Sequence, residues 1–431
     1  MTYNLLCELY GVKEEVINII NKAEKDLSDI FKKLDKIQEN NFYKVIKSFQ
    51  NNRVNYSHFY WNTGYGYNDS GREVLEKVYS DYFNTEDSIV RPIIASGTHA
   101  LYLTLSGILK YGDEVVSISG DPYDTMMTIL GEKGNESNNL KELGVKYKKI
   151  ELIEGKKIDY KKIKDTISNN TKMILIQRSM GYSDRISLRI DSIKKAIDFI
   201  KNINPKIIIM VDNCYGEFVE EQEPSHVGAD LVVGSLIKNP GGGLALSGGY
   251  ITGKKILINR ISNRMTSPGI GKEVGLMFDQ TRNILQGFFL APKTTNSALK
   301  GSILFSYVFD DLGYDVYPKP KENRTDIIQA IVFRDKDKLT TFCEEIQKSS
   351  PVDSNVKPIP WAMPGYNDEI IMAAGTFIQG SSIELSADAP IREPYTGFLQ
   401  GGLVYEHSKL ALSLILNKMM DWKKSLELFF F

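Results

Sequence analysis

Residues 206–243 read KIIIMVDNCYGEFVEEQEPSHVGADLVVGSLIKNPGGG, and they set two apolar runs each ahead of a reactive side chain. The first run, Lys206–Val211, reads as a buried strand and ends in Asp212. The second, Leu231–Val233, leads through Gly234 and Ser235 to Lys238, then Asn239, Pro240 and three glycines, Gly241 to Gly243. Ligands of an open α/β sheet gather beyond the C-terminal ends of its strands, where both side chains are expected. An acidic residue at that edge must find a partner. A protonated ring nitrogen is one such partner, and capping of the next helix is the other reading. A lysine in a tight Gly/Pro turn beyond a buried strand is poorly placed for a solvated surface role. Desolvation is expected to lower its pKa, which suits a Schiff-base nucleophile and later proton carrier. Ser235, three residues earlier, can donate its hydroxyl to a phosphate. Cys214, with no base in sight, reads as a small core residue.

Working outward, Ser88–Ala95, Glu114–Ile118 and Met173–Ile176 also read as buried strands, with helical patterns such as Thr98–Lys110 and Ile190–Lys201 between them. Strands rich in Ile and Val alternating with helices predict an α/β fold: a mostly parallel sheet covered by helices on both faces. The first strand runs into Ser96-Gly97-Thr98-His99-Ala100. A small turn at a helix N-terminus offers backbone N–H groups and a favourable dipole to a phosphate, although many ordinary strand-to-helix turns look alike. His99 reads as helix-terminal packing. Upstream, residues 12–50 carry apolar side chains at three- and four-residue steps, predicting one amphipathic helix or two. The segment His58–Arg72, HFYWNTGYGYNDSGR, is dense in aromatics and glycine, and a helix should follow from Arg72 to about Phe83. After about Lys293, Ile327–Phe333, the helix-like Lys338–Gln347 and Ile370–Phe377 predict a smaller α+β domain. The expected organisation is an N-terminal helical segment and arm over 1–86, a large domain over 87–292 and a small domain over 293–431.

Composition narrows the functional classes. The 431 residues are 42% hydrophobic and 25% charged, with 53 Lys plus Arg against 54 Asp plus Glu. Such a balance lacks the basic footprint of a nucleic-acid binder. Cys7, Cys214 and Cys343 form neither a disulfide framework nor a metal spacing, so no metal is expected and a reducing compartment is. No run reaches the length of a membrane helix, and the first ten residues lack a secretory pattern. A cytoplasmic protein is the expectation.

The order of phosphate turn, acidic residue after a strand and Ser-x-x-Lys resembles fold-type-I pyridoxal-phosphate (PLP) enzymes. More narrowly, SGTHA, GDPYDTM, VDNCYGEF and GSLIKNPGGG resemble the aluminium-resistance family, related to methionine gamma-lyase and cystathionine beta-lyase. The resemblance runs from the segment near Tyr65 to GFLQGGLVYEH, ending at His407. It implies PLP held on Lys238, with Asp212 as partner of the pyridine nitrogen. It implies a phosphate site made by Ser96, Gly97 and Thr98 with the Ser235 hydroxyl, and Tyr123 stacked on the ring. Tyr65 and Tyr67 resemble an arm that reaches the cofactor phosphate of a neighbouring subunit, implying a homodimer or homotetramer with shared sites. The implied activity is a carbon–sulfur lyase acting on a sulfur-containing amino acid. Aminotransfer or racemisation would use the same residues, and a non-catalytic protein of this fold in metal tolerance is the rival from another class. Where cystathionine-type enzymes carry Ser-x-Thr-Lys and a C-terminal arginine for the substrate carboxylate, this chain has Ser-Leu-Ile-Lys and Gly402-Leu403-Val404-Tyr405-Glu406. Arg392, held between Pro390 and Pro394, is the first candidate for that carboxylate, and Arg178 the second.

Overall fold

The structure is a computed structural model that describes residues 5–181, 185–363 and 368–429. It divides into two compact units, Ile37–Lys293 and a smaller one that joins the residues up to Lys36 with Thr294–Phe431.

The larger unit is built on seven strands: β1 (Asp87–Arg91), β2 (Glu114–Ser117), β3 (Lys146–Lys149), β4 (Thr171–Gln177), β5 (Ile208–Asp212), β6 (Leu231–Ser235) and β7 (Gly249–Gly253). Their order is β1-β7-β6-β5-β4-β2-β3. β2 to β6 run parallel, and β7 is antiparallel to both of its neighbours. Alternate residues on each strand enter different cores, as the two-residue period of a strand requires. Ile89, Val115, Met173, Leu175, Met210 and Val233 pack with Ala100, Leu101, Leu105 and Ile261. Val90, Val116, Ile174, Ile176, Ile209, Val211 and Val232 pack with Val74, Val78, Ile193, Ile197 and Phe288. Helices therefore cover both faces.

Three differences from the sequence expectations have local causes. The first strand stops at Arg91 rather than Ala95, because Pro92 has no N–H to continue the ladder. β3 reads KYKK, an edge strand paired only with β2 and largely exposed, so no apolar run marks it. β7 reads GYITG, two glycines around three residues. A Cβ on Gly253 would lie 2.2 Å from the Asp230 carbonyl oxygen, so the close approach of the chain there excludes larger residues.

The smaller unit holds a five-stranded antiparallel sheet, β8 (Asp315–Tyr317), β9 (Gln329–Val332), β10 (Ile370–Ala373), β11 (Ser386–Pro390) and β12 (Thr396–Gln400), in the order β10-β11-β12-β9-β8. The helix Lys336–Ser349 buries Leu339, Phe342 and Ile346. N-terminal residues also belong here. A single helix, Glu14–Asn51, starts in this unit, where Lys409 meets Glu24 at 3.0 Å and the Asn296 amide donates to Asp35 at 2.7 Å. The division is thus not three successive segments: residues up to 36 join the C-terminal unit, and 37–86 join the large one. Among the described residues no helix is long and apolar enough to cross a membrane.

Candidate active site

The C-terminal ends of β5 and β6 bring Asp212 and Lys238 together in the large unit. Asp212 closes β5 and Ser235 closes β6, and both are buried. Lys238 follows within a turn whose glycines are set by close packing. A Cβ on Gly241 would lie 1.7 Å from the Leu236 carbonyl oxygen, and one on Gly242, at φ +53°, 2.2 Å from that of Gly287.

Between these strand ends the chain makes a strained turn. Tyr215 and Phe218 take φ of +69° and +63°, a region that bulky L-residues rarely adopt. The turn presents the Tyr215 ring to Lys238, whose Nζ lies 3.6 Å from the ring centroid. Burial by itself disfavours the Lys238 ammonium, but the acidic groups of Tyr215, Cys214 and Asp212 outweigh it and hold the amine above its ordinary range. The expected lowering of this pKa is therefore corrected: the reading counted desolvation and missed the neighbours. Asp212 is pushed up by burial, and the backbone N–H of Cys214 (3.1 Å) and the charge of Lys238 counter this. One oxygen of Asp212 accepts from Cys214 N–H within its own turn, where no helix starts, so Asp212 does not cap a helix. Cys214 is buried and its thiol is pushed up by that burial, so it is a packing residue.

Arg178 is not available for a substrate. It is fully buried and braces the strained turn, donating to Asn213 Oδ1 and to the Gly216 carbonyl, both at 2.8 Å, and pairing with Glu220 at 2.9 Å and Glu223 at 3.5 Å. Glu223 in turn accepts from the Asn213 side chain and the Phe218 N–H, both at 2.9 Å. Beneath the turn, Glu217 is buried and accepts from the Tyr250 hydroxyl at 2.7 Å. Burial pushes its carboxyl up to about 8.

Opposite lies the N-terminus of the helix Gly97–Ile108. The Ser96 hydroxyl accepts from His99 N–H (3.1 Å), and His99 Nδ1 accepts from Ala95 N–H (3.0 Å), so both side chains serve the cap. The N–H groups of Gly97 and Thr98 have no intrahelical acceptor at this position. A Cβ on Gly97 would lie 3.1 Å from Ser235 Cβ and 3.4 Å from Cys214 Sγ, so a side chain there would have to push Ser235 back by a few tenths of an ångström. The Thr98 and Tyr123 hydroxyls share a hydrogen bond of 2.9 Å, and Tyr123 N–H donates to Gln177 Oε1 at 3.0 Å. Tyr123, expected as a catalytic residue stacked on the cofactor ring, is thus tied to the phosphate turn.

These features fit PLP on the chain's own geometry: two open N–H groups at a helix start, the Ser235 hydroxyl beside them with no hydrogen bond among the described residues, a buried carboxylate and a buried amine. Tyr65 and Tyr67 are 83% and 68% exposed, on a segment where Gly275 N–H donates to the Gly64 carbonyl at 3.0 Å. Arg392 lies in the smaller unit, half exposed and paired with Asp368 at 2.8 Å. Sequence reasoning missed Tyr215, although its place three residues after Asp212 was the available signal. It also missed Gln177 and Arg185, whose charge helps to lower Asp212 and whose guanidinium donates to the Gln177 carbonyl at 3.3 Å.

Sheet order, a lone antiparallel strand and a lysine after β6 define the fold of the fold-type-I PLP-dependent enzymes. The family model described as methionine gamma-lyase matches residues 16–420, and the chain belongs to that family. A Clostridium acetobutylicum protein, provisionally assigned as a cystathionine beta-lyase involved in aluminium resistance, is 48% identical with a TM-score of 0.93, covering 96% of this chain and 97% of that one. A carbon–sulfur lyase involved in aluminium resistance from Clostridium novyi is 46% identical with a TM-score of 0.92, over 96% and 98%. The pyridoxal-5'-phosphate-dependent protein YhfS of Escherichia coli shares the fold at 15% identity and a TM-score of 0.60, over 90% and 97%.

Proposed function

We propose that this chain is a PLP-dependent carbon–sulfur lyase that removes the α-proton of a sulfur-containing amino acid and releases a thiol by β- or γ-elimination. The observation that carries the reading is the buried amine of Lys238 beside Asp212 at the ends of β5 and β6, facing the open N-terminus of the helix Gly97–Ile108. Similarity to the carbon–sulfur lyase of C. novyi supports the reaction class.

Gly97 and Thr98 N–H groups and the Ser235 hydroxyl would hold the phosphate, Tyr123 would cover the ring, and Asp212 would keep the ring nitrogen protonated. When bound, PLP supplies an electron sink for negative charge at Cα. The neighbours of Lys238 favour its ammonium form when the cofactor is absent. Displaced from the cofactor by the substrate amine, Lys238 Nζ would leave as a neutral amine and could take the Cα proton as general base. In β-elimination the Lys238 ammonium would give that proton to sulfur as the C–S bond breaks with its electron pair leaving on sulfur; in γ-elimination a second proton would first be taken from Cβ. Water completes the reaction, giving thiol, ammonia and a keto acid. Tyr65 and Tyr67 would reach the phosphate of a second subunit, making the active unit at least a homodimer.

The test is a panel of sulfur amino acids with the purified holoenzyme. Release of thiol and ammonia without any added keto acid supports elimination. Turnover that requires a keto acid would make the protein an aminotransferase, and binding of PLP without turnover of any amino acid would remove the enzyme reading.

A further inference from the structure

Gln177, the last residue of β4, is a polar side chain where the pattern of its strand calls for an apolar one. The two-residue period puts it on the face of Met173 and Leu175, which pack with the helix Gly97–Ile108, and beside Asp212 of β5. It is 3% exposed. A buried amide is costly unless its groups are hydrogen-bonded, and both ends of this one are used. Oε1 accepts from Tyr123 N–H at 3.0 Å, and Nε2 donates to the Ser179 carbonyl at 3.1 Å. The main-chain N–H of Gln177 donates to Ser119 Oγ at 3.1 Å, and its carbonyl accepts from Arg185 at 3.3 Å. These partners fix the amide's orientation. Turned over, its NH2 would face the Tyr123 N–H and its oxygen the Ser179 carbonyl.

The segment that Gln177 holds, residues 119–123, is tied on its other side to the exposed edge of the sheet. Gly120 N–H donates to the Ile150 carbonyl at 2.9 Å, the Tyr147 hydroxyl donates to Asp121 at 3.2 Å, and Lys149 pairs with Asp121. Tyr147 and Lys149 belong to β3, and Ile150 follows it. The Ser117 hydroxyl of β2 adds a bond to the Gly120 carbonyl at 2.6 Å. Gln177 is the tie from β4, on the side of Asp212. At its far end the Tyr123 side chain shares a hydrogen bond of 2.9 Å with Thr98. Burial, with Asp212 nearby, pushes the Tyr123 phenol up, so it keeps its proton at neutral pH. Tyr123 is thus pinned at its main-chain N–H by Gln177 and at its hydroxyl by Thr98, with the ring held between.

We propose that Gln177 is a positioning residue: by holding the main-chain N–H of Tyr123, it sets the pose of the ring that covers the cofactor. The inference rests on the reading of Tyr123 as the cover of the PLP ring, and it adds the residue that fixes that cover.

Amide hydrogen exchange in the full-length chain without cofactor reads the tie directly. In the wild type the Tyr123 N–H should be protected. Gln177→Met keeps the length of the side chain and loses both amide hydrogen bonds, so exchange over residues 119–125 should speed about tenfold, with the rest of the sheet unchanged. PLP affinity and the visible circular dichroism of the bound cofactor read the consequence in the holoenzyme. Gln177→Met should bind PLP about three- to tenfold more weakly, with an altered dichroism, and Tyr123→Ala about tenfold more weakly. The double variant should match Tyr123→Ala within about twofold, because a residue that acts through the ring has no effect once the ring is gone. An unprotected Tyr123 N–H in the wild type, unchanged exchange in Gln177→Met, or losses of affinity that multiply in the double variant would overturn the assignment. So would a Gln177→Met chain that fails to fold or exchanges faster throughout the sheet, since Gln177 would then be a brace of the sheet. A wild type that binds no PLP would sink the cofactor reading and the ring's task with it, whereas losses that multiply with PLP bound sink the role of Gln177 alone.

Discussion

Asp212 and Lys238 show what one residue type at one place can and cannot disclose. An acid after IIIMV and a lysine after LVVGS mark strand ends, and the chain brings them together. The charge state of the lysine was not legible, because Tyr215 and Cys214 reach it through a turn of positive φ that no residue pattern announces. Substitution of Asp212 tests its role most simply. Asp212→Asn should retain PLP, detected by absorbance, yet lose about 100-fold or more in turnover, as loss of a group stabilising developing charge does. The loss should fall on proton removal, giving a larger isotope effect with substrate deuterated at Cα. An unchanged rate would reduce Asp212 to a cap for Cys214 N–H. Arg178 shows the opposite limit: it reads as a carboxylate ligand, yet it is fully buried and spent on Glu220, Glu223 and the Gly216 carbonyl. An arginine's partners are set by tertiary packing, which spacing does not encode.

At the scale of elements, apolar periodicity gave up β2, β4, β5 and β6 and the helices around them, because their side chains enter two cores by alternation. It missed β3 and β7, where an exposed edge and flanking glycines erase the pattern. The turn 212–218 is the element on which the site rests, and Arg178 braces it. Arg178→Ala should destabilise the chain by about 3–5 kcal/mol, since it leaves Glu223 buried without its cation. Denaturant unfolding would measure this, and a loss under 1 kcal/mol would deny the brace. Glu217, beneath the same turn, gives a pH dependence with a definite sign. Its folded pKa, about 8, lies above the ordinary carboxylate range, so the unfolded chain releases the proton first. Stability contributed by neutral Glu217 is complete below the unfolded value and is lost as pH rises towards about 8, by up to about 1.4 kcal/mol per pH unit. Glu217→Gln keeps the acceptor for Tyr250 and should flatten the profile of unfolding free energy between about pH 5 and 8. A profile parallel to the wild type would show that Glu217 is already ionised in the fold.

For the whole molecule, the α/β class was legible in the sequence, but the joining of the N-terminal residues to the C-terminal unit was not, since it depends on pairs such as Glu24 with Lys409, hundreds of residues apart. The exposed arm with Tyr65 and Tyr67 is the feature that a single chain leaves without a task. A Tyr65→Phe/Tyr67→Phe chain and a Lys238→Ala chain, each inactive alone, should regain activity when mixed, towards about half the wild-type value per mixed dimer. Mixed dimers that form without recovery would put arm and lysine in the same subunit. Every role proposed for the active site depends on Lys238. Borohydride reduction of the yellow holoenzyme, followed by mass mapping of its peptides, should find one pyridoxyl phosphate per chain, fixed to Lys238, and none in Lys238→Ala. A reduced cofactor on any other lysine, or none at all, would contradict it.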